Sequence, residues 1–267
     1  MLAIFWRALK DRRISLFVYC LTIIGFIWMY ITIYPTIQQQ SANLEALLKF
    51  YPESLMKAFN VDIATYTTVE GYFSAELFSF IWPLFVIFIS VGFAGAAIAG
   101  EIEKSTIEVL LSQPISRLKI FFSKYLAGLF TLVAFIIAST LTIGPILSAY
   151  NISYRFASFT TIAILGFIFG LAVFSIAMFL SAIFSDKGKV YFISGGLLVV
   201  MYVLNVIASL KENLSDLKYF SFFYYFNANK ALIYQQIDHW AYWVFLGVAI
   251  IFTISAAVWF SKRDISI

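Results

Sequence analysis

Between residues 14 and 35 the chain carries no charged side chain. That run is long enough to cross a bilayer, which takes about 20 predominantly apolar residues as a helix. Further runs of this kind occupy 77–100, 125–154, 156–185, 190–210 and 240–261, with Arg155 alone separating the third from the fourth. Within the two long runs the spans are set at 125–148 and 158–185. A membrane β-barrel would show alternating segments of about 10 residues, and the sequence has none. The expected fold is therefore an all-α integral membrane protein. It has six transmembrane helices in a single membrane domain over 1–267. Composition agrees. Apolar residues make up 62% of the 267 and charged residues 12%, against usual shares of about 45–50% and 25%. A water-soluble fold would lack the polar surface to cover such a core. The first run also exceeds the 7–15 apolar residues of a signal peptide and lacks a following A-x-A-like site, so it is expected to be retained.

Lysine and arginine orient the spans, because cytoplasmic loops hold the basic excess. With the N-terminus inside, the inner segments hold 12 Lys and Arg against 6 Asp and Glu, a net +6. The outer segments hold 6 against 8, a net −2. Both termini are expected in the cytoplasm.

Four of the segments outside the spans are longer than ten residues. In 1–13, Leu2, Phe5, Trp6 and Leu9 share one helical face beside Arg7, Lys10, Arg12 and Arg13. This suits an amphipathic interface helix on the inner membrane surface, and a plain basic flank suits it equally. In 36–76, Leu44, Leu47, Leu48 and Tyr51 keep helical spacing before Pro52, and Leu55, Met56 and Phe59 follow. Two short helices on the outer leaflet are expected there. In 101–124, Ser105 and Glu108 have the spacing of a capping box, with Ile107, Leu110 and Leu111 on one face and Pro114 as the stop. This predicts a short cytoplasmic helix over 104–112, between the second and third spans. The last outer segment, 211–239, contains the aromatic run 220–226, which fits an interfacial belt or a short helix dipping into the outer leaflet.

Several chemistries are excluded. No G-x-x-x-x-G-K-[ST] loop exists, so ATP binding by a phosphate loop is ruled out. His239 and Cys20 are the only histidine and cysteine, too few for a zinc or copper site of the usual kind. No G-x-S-x-G elbow occurs, and the scattered basic residues form no nucleic-acid motif. The spans as placed hold no ionisable residue, which ion-coupled carriers usually need. Their polar groups are mild: Ser79, Ser90, Thr131, Ser139, Thr140, Thr142, Ser175 and Asn205. Small residues recur four apart at Gly92, Ala96 and Gly100, and at Gly166 and Gly170. Such stripes let helices approach closely, within one chain, across a dimer or along a pathway. Asn151-Ile152-Ser153 matches a glycosylation sequon, and a tight turn accounts for it as well.

The segment from Ala96 to Arg117, AAIAGEIEKSTIEVLLSQPISR, followed by Lys124, resembles the signature of the type-2 ABC exporter permeases. The closing Phe260-Ser261-Lys262-Arg263-Asp264-Ile265 is similar to that family's ending, and Ser105 stands where glycine is common. The resemblance implies a membrane-spanning permease subunit of an ATP-driven exporter, multi-pass in a prokaryotic plasma membrane. The chain itself would be no enzyme and hold no cofactor; ATP and Mg would be bound by a partner ABC ATPase, two copies per complex. A second permease chain, identical or related, would complete the membrane part. The helix at 104–112 would be the coupling helix, with Glu101, Glu103, Ser105, Ile107, Glu108, Leu110, Leu111 and Pro114 as its ATPase-coupling residues. The helix at 1–13 would lie beside it. The second and fifth spans would line the pathway, with Gly92, Ala96, Gly100 and Asn205 as candidates for the dimer or pathway surface. The alternative is a membrane scaffold or assembly subunit that transports nothing. An ATPase gene with a phosphate loop directly beside this one would discriminate the two.

Overall fold

The computed structural model describes residues 1–40, 50, 56 and 65–264. The described residues are helical, without a strand. Five of their helices are long and apolar enough to cross a membrane, and a bent pair makes a sixth. The short helices expected around 44–51 and 55–59 lie almost entirely outside the described residues.

Helix α1 runs unbroken over Leu2–Gln39. The separate interface helix expected at 1–13 is therefore not formed. Nothing between residues 2 and 34 interrupts helix propensity, since the first proline is Pro35, one turn from the end. The amphipathic face at Phe5 and Leu9 is instead half-buried in the protein, where Phe5 meets Phe130 edge to face at 6.1 Å.

The second span is broken. Helix α2 (Val69–Phe73) is capped by Thr68, whose hydroxyl accepts from Gly71 N at 3.1 Å. It continues as a π-helical turn over Ser74–Phe78, then bends by 45° into α3 (Ile81–Ala97). Taken as one span, the pair begins at Val69 rather than 77 and brings Glu70 and Glu76 into its first arm. Two short helices follow, α4 (Ala99–Glu103) and α5 (Ile107–Leu111). The third span comprises α6 (Arg117–Leu141) and α7 (Ile143–Ala149). Then come α8 (Phe156–Ile183) and α9 (Lys187–Leu210). After a 3-10 stretch over Glu212–Phe220 come α10 (Phe222–Tyr225), α11 (Ala228–Ile233) and α12 (His239–Lys262).

Helix α8 is apolar all round, so it occupies the centre. It packs most extensively on α12 and α3. Its two spaced glycines serve this packing within the chain: Gly166 receives the Trp82 ring, and Gly170 receives Val86 and Leu132. The indole N–H of Trp82 then donates to Ser139 Oγ at 3.0 Å, satisfying a buried donor. Helices α1 and α9 lie at the periphery and present Phe17, Trp28, Phe192 and Val199 outward.

Part of the aromatic run folds back onto the bundle, while Phe220 and Tyr224 stay exposed. Phe222, Phe223 and Phe226 are buried. Phe226 stands 5.0 Å from Phe169, Phe223 5.2 Å from Tyr202, and Phe222 5.5 Å from Phe245. Asn151 has φ 55, which makes the sequon a tight turn between α7 and α8.

Contacts define two ends. At the distal end Arg155 N and Nε donate to Glu70 Oε1 at 3.0 and 3.2 Å, and Nη2 donates to Ile233 O at 3.1 Å. Tyr66 OH donates to Glu76 Oε1 at 2.6 Å, and burial together with that carboxylate pushes the phenol's pKa well up. At the basal end the Arg263 guanidinium donates to Ala182 O, Phe184 O and Ser185 Oγ, while Arg117 donates to Arg263 O. Arg7 lines a basal cleft with Lys124. The two ends of the described chain therefore meet at one end of the bundle.

Candidate functional site

The segment resembling the permease signature begins at a break. Ile98, with φ −122 and ψ −60, ends α3 and leaves backbone groups without helical partners. Two other helices satisfy them. Ser181 Oγ of α8 accepts from Ile98 N at 3.3 Å and Ala99 N at 3.0 Å. Lys124 Nζ of α6 donates to Ala97 O at 2.5 Å and to Glu101 Oε1 at 2.6 Å. Thr106 Oγ1 closes the network on Glu101 Oε2 at 3.2 Å.

The Lys124 side chain is 3% exposed. A buried ammonium is tolerable only when paired and hydrogen-bonded, and this one has both a carboxylate and a carbonyl. The third span starts at Arg117 rather than 125, so an ionisable residue does lie inside a spanning helix, near its basal end. Glu103 forms a second pair, with Lys187 Nζ at 3.2 Å, and accepts from Lys187 N at 3.1 Å. Both its groups are solvent-accessible, so it is worth only about 0–1 kcal/mol. Glu101 and Glu103 thus have partners within the chain.

The capping box at Ser105 and Glu108 is not formed. Ser105 has φ 56, the left-handed region. Thr106 takes the N-cap position in the right-handed helical region and makes no side-chain cap; its hydroxyl donates to Glu101. Helix α5 is accordingly five residues, Ile107–Leu111, shorter than the expected 104–112. Its facing also differs from the expected docking face. Ile107 and Leu110 are buried against the bundle and Leu111 is half-buried. Val109, Ser112, Gln113 and Pro114 are exposed. The isoleucine and leucine hold the helix down; the valine and the following turn form its free face.

Beside this segment lies a cleft of about 520 Å³ between α1, α3, α4, α6 and α9. Arg7, Arg12, Lys104, Lys124 and Lys187 line it, against Asp11 and Glu101. Ala96 and Gly100 form part of its wall, and Gly92 opens onto a smaller adjoining hollow. A Cβ added at Gly92 would meet nothing within 4 Å, so this stripe makes no close helix contact there. Gly95, beside it, does: Tyr191 packs directly against it. Asn205 stands away from the cleft, half-buried on α9, with its carbonyl accepting from Ser209.

A family model described as ABC-2 family transporter protein matches residues 2–265. The chain belongs to the ABC-2 transporter family. No curated protein matches it. ABC-2 membrane subunits normally work with an ABC ATPase partner, so this chain is a multi-pass membrane protein of an ABC transporter. In this ABC-2 chain the signature segment coincides with the polar network around Lys124 at the basal end. Lys124 stood in the sequence as an inner flanking charge, and Ser181 as one serine among many. Their roles depend on helices brought together from 27 and about 80 residues away. Lys124, the basic residue that follows the signature, was the single available signal.

Proposed function

We propose that this chain is the permease subunit of an ATP-driven ABC exporter and couples to a separate ATPase through α5. The basal end would face the cytoplasm of a prokaryotic cell. Two permease chains, identical or related, would pair there with two ATPase subunits that bind ATP and Mg. The observation that carries this reading is the build of α5: a free face at Val109, Ser112, Gln113 and Pro114 on a rigidly rooted base. A displacement imposed on that face passes through Ile107 and Leu110 into the bundle. It also passes through Thr106, Glu101 and Lys124 into α6 and the end of α3. The same network secures the break at Ile98, so α3 and α6 would move in concert with α5. Helices α3 and α9 would line the pathway, where Gly92, Ala96 and Gly100 leave open space and Asn205 supplies a polar group.

The test is co-purification with a co-expressed ABC ATPase subunit from the same source, followed by ATP hydrolysis in lipid with and without the permease. The expected result is a stable complex in which Val109→Asp releases the ATPase. A chain that never retains an ATPase subunit, with that subunit folded and present, would overturn the reading in favour of a scaffold.

A further inference from the structure

A second cavity of about 710 Å³ runs between α1 and α6. Along α1 its lining runs from Trp6 and Leu9 through Lys10, Arg12 and Arg13 to Leu16, Phe17 and Cys20, and on α6 it includes Phe130, Ala134 and Ala138. Arg12 also lines the basic cleft and the small hollow at Gly92, so one guanidinium joins all three spaces. Among the described residues Arg7, Arg12 and Lys104 have no ion-pair partner, whereas Lys124 and Lys187 are paired. Five cations thus face only Asp11 and Glu101 in the cleft, and this excess of positive charge lies where an apolar groove opens. After Arg13 the α1 sequence is free of charge to its end, so the groove enters the membrane at this level. Phe17 and Phe130 on its rim are 66% and 53% exposed, as lipid-facing side chains are.

We infer that this junction is a binding site for an anionic phospholipid, with its phosphate on Arg12 and one acyl chain in the α1–α6 groove. A planar guanidinium presents parallel N–H donors that match phosphate oxygens. Basic pockets between membrane helices hold anionic headgroups by the same chemistry. A neutral lipid would leave the cationic excess over Asp11 and Glu101 unbalanced, and a soluble phosphate would leave the groove unused. Arg12 and the groove belong to α1 and α6 alone, so binding there can be measured apart from coupling to an ATPase.

Native mass spectrometry of the full chain, purified in detergent and stripped of lipid, measures this directly. The probes are phosphatidylglycerol, phosphatidylcholine and inorganic phosphate. Retention of phosphatidylglycerol should exceed that of phosphatidylcholine about tenfold. Arg12→Gln should remove that preference, Arg12→Lys should keep most of it, and Lys189→Gln, at an exposed cation outside the junction, should leave it unchanged. Ala134→Trp, which fills the groove, should weaken phosphatidylglycerol retention. Equal retention of the two lipids overturns the inference. So does millimolar phosphate that displaces phosphatidylglycerol completely, or an Ala134→Trp chain that retains it normally.

Discussion

Lys124 and Ala97 belong to different spanning helices, yet the ammonium of the first lies 2.5 Å from the carbonyl oxygen of the second. The contact supplies a donor to a carbonyl freed where α3 ends, and Glu101 balances the charge that makes the donor strong. One side chain thus repairs a helix break and neutralises a carboxylate at once.

Removing it should be costly. Lys124→Met leaves the Ala97 carbonyl and Glu101 without their donor, each worth about 1–3 kcal/mol when buried and unsatisfied. Adding Glu101→Gln should recover part of the loss, because the lone carboxylate is then gone. Thermal unfolding of the two single variants and the double variant in detergent gives the coupling, expected above about 0.5 kcal/mol. Strict additivity would mean the two residues do not act together.

The two faces of α5 should respond differently to the same substitution. Leu110 is 4% exposed and Val109 57%. Leu110→Asp forfeits about 1.5–3 kcal/mol of apolar burial and buries a carboxylate, so yield and melting temperature should fall. Val109→Asp should melt like the parent chain while losing the ATPase subunit from an immobilised complex. The reverse pattern would show that the facing of α5 is wrong.

Glycines on the two stripes should also part company. A Cβ at Gly166 would lie 2.1 Å from the rigid, buried ring of Trp82. Gly166→Ala should therefore cost about 1–3 kcal/mol, the usual range for overpacking. Gly92→Ala meets open space and should be neutral, or stabilising by about 0.5–1 kcal/mol through lower unfolded-state entropy. Paired melting curves decide it, and equal losses at both sites would contradict the packing described.

The sidedness proposed from the charge split can be tested on α9 alone. With Cys20 replaced, Lys189→Cys at its basal end should react with an impermeant thiol reagent only from the cytoplasm. Lys211→Cys at its distal end should react only from outside. Labelling of both from one side would remove α9 from the list of spans.

The spans were legible because lipid imposes a length and a polarity on every crossing element, as 190–210 shows against the observed Lys187–Leu210. Discontinuities were less so. Nothing at Ile98 breaks a helix by composition; the break persists because Ser181 and Lys124 arrive to satisfy it. The facing of α5 misled for a related reason. An apolar stripe at Ile107 and Leu110 shows only that something covers it, and here the chain's own bundle does so. The capping box failed because Ser105 sits in the left-handed region at φ 56 and the N-cap falls one residue later, on Thr106. Gly166 and Gly170 read correctly, since close packing was the commonest use of such a pair.

Helix α1 joins the two ends of the molecule without a joint. At 1.5 Å per residue its 38 residues measure about 57 Å. Near its start stands Arg12 at the basic cleft; near its finish Trp28 bonds Tyr150 at 3.2 Å and Tyr34 bonds Thr67 O at 2.9 Å. A stiff lever of that length turns a tilt of about 5° into a sweep of about 5 Å at its tip. A tilt imposed on α1 at the basal cleft would therefore displace the turn that opens the second span at the distal end of the bundle.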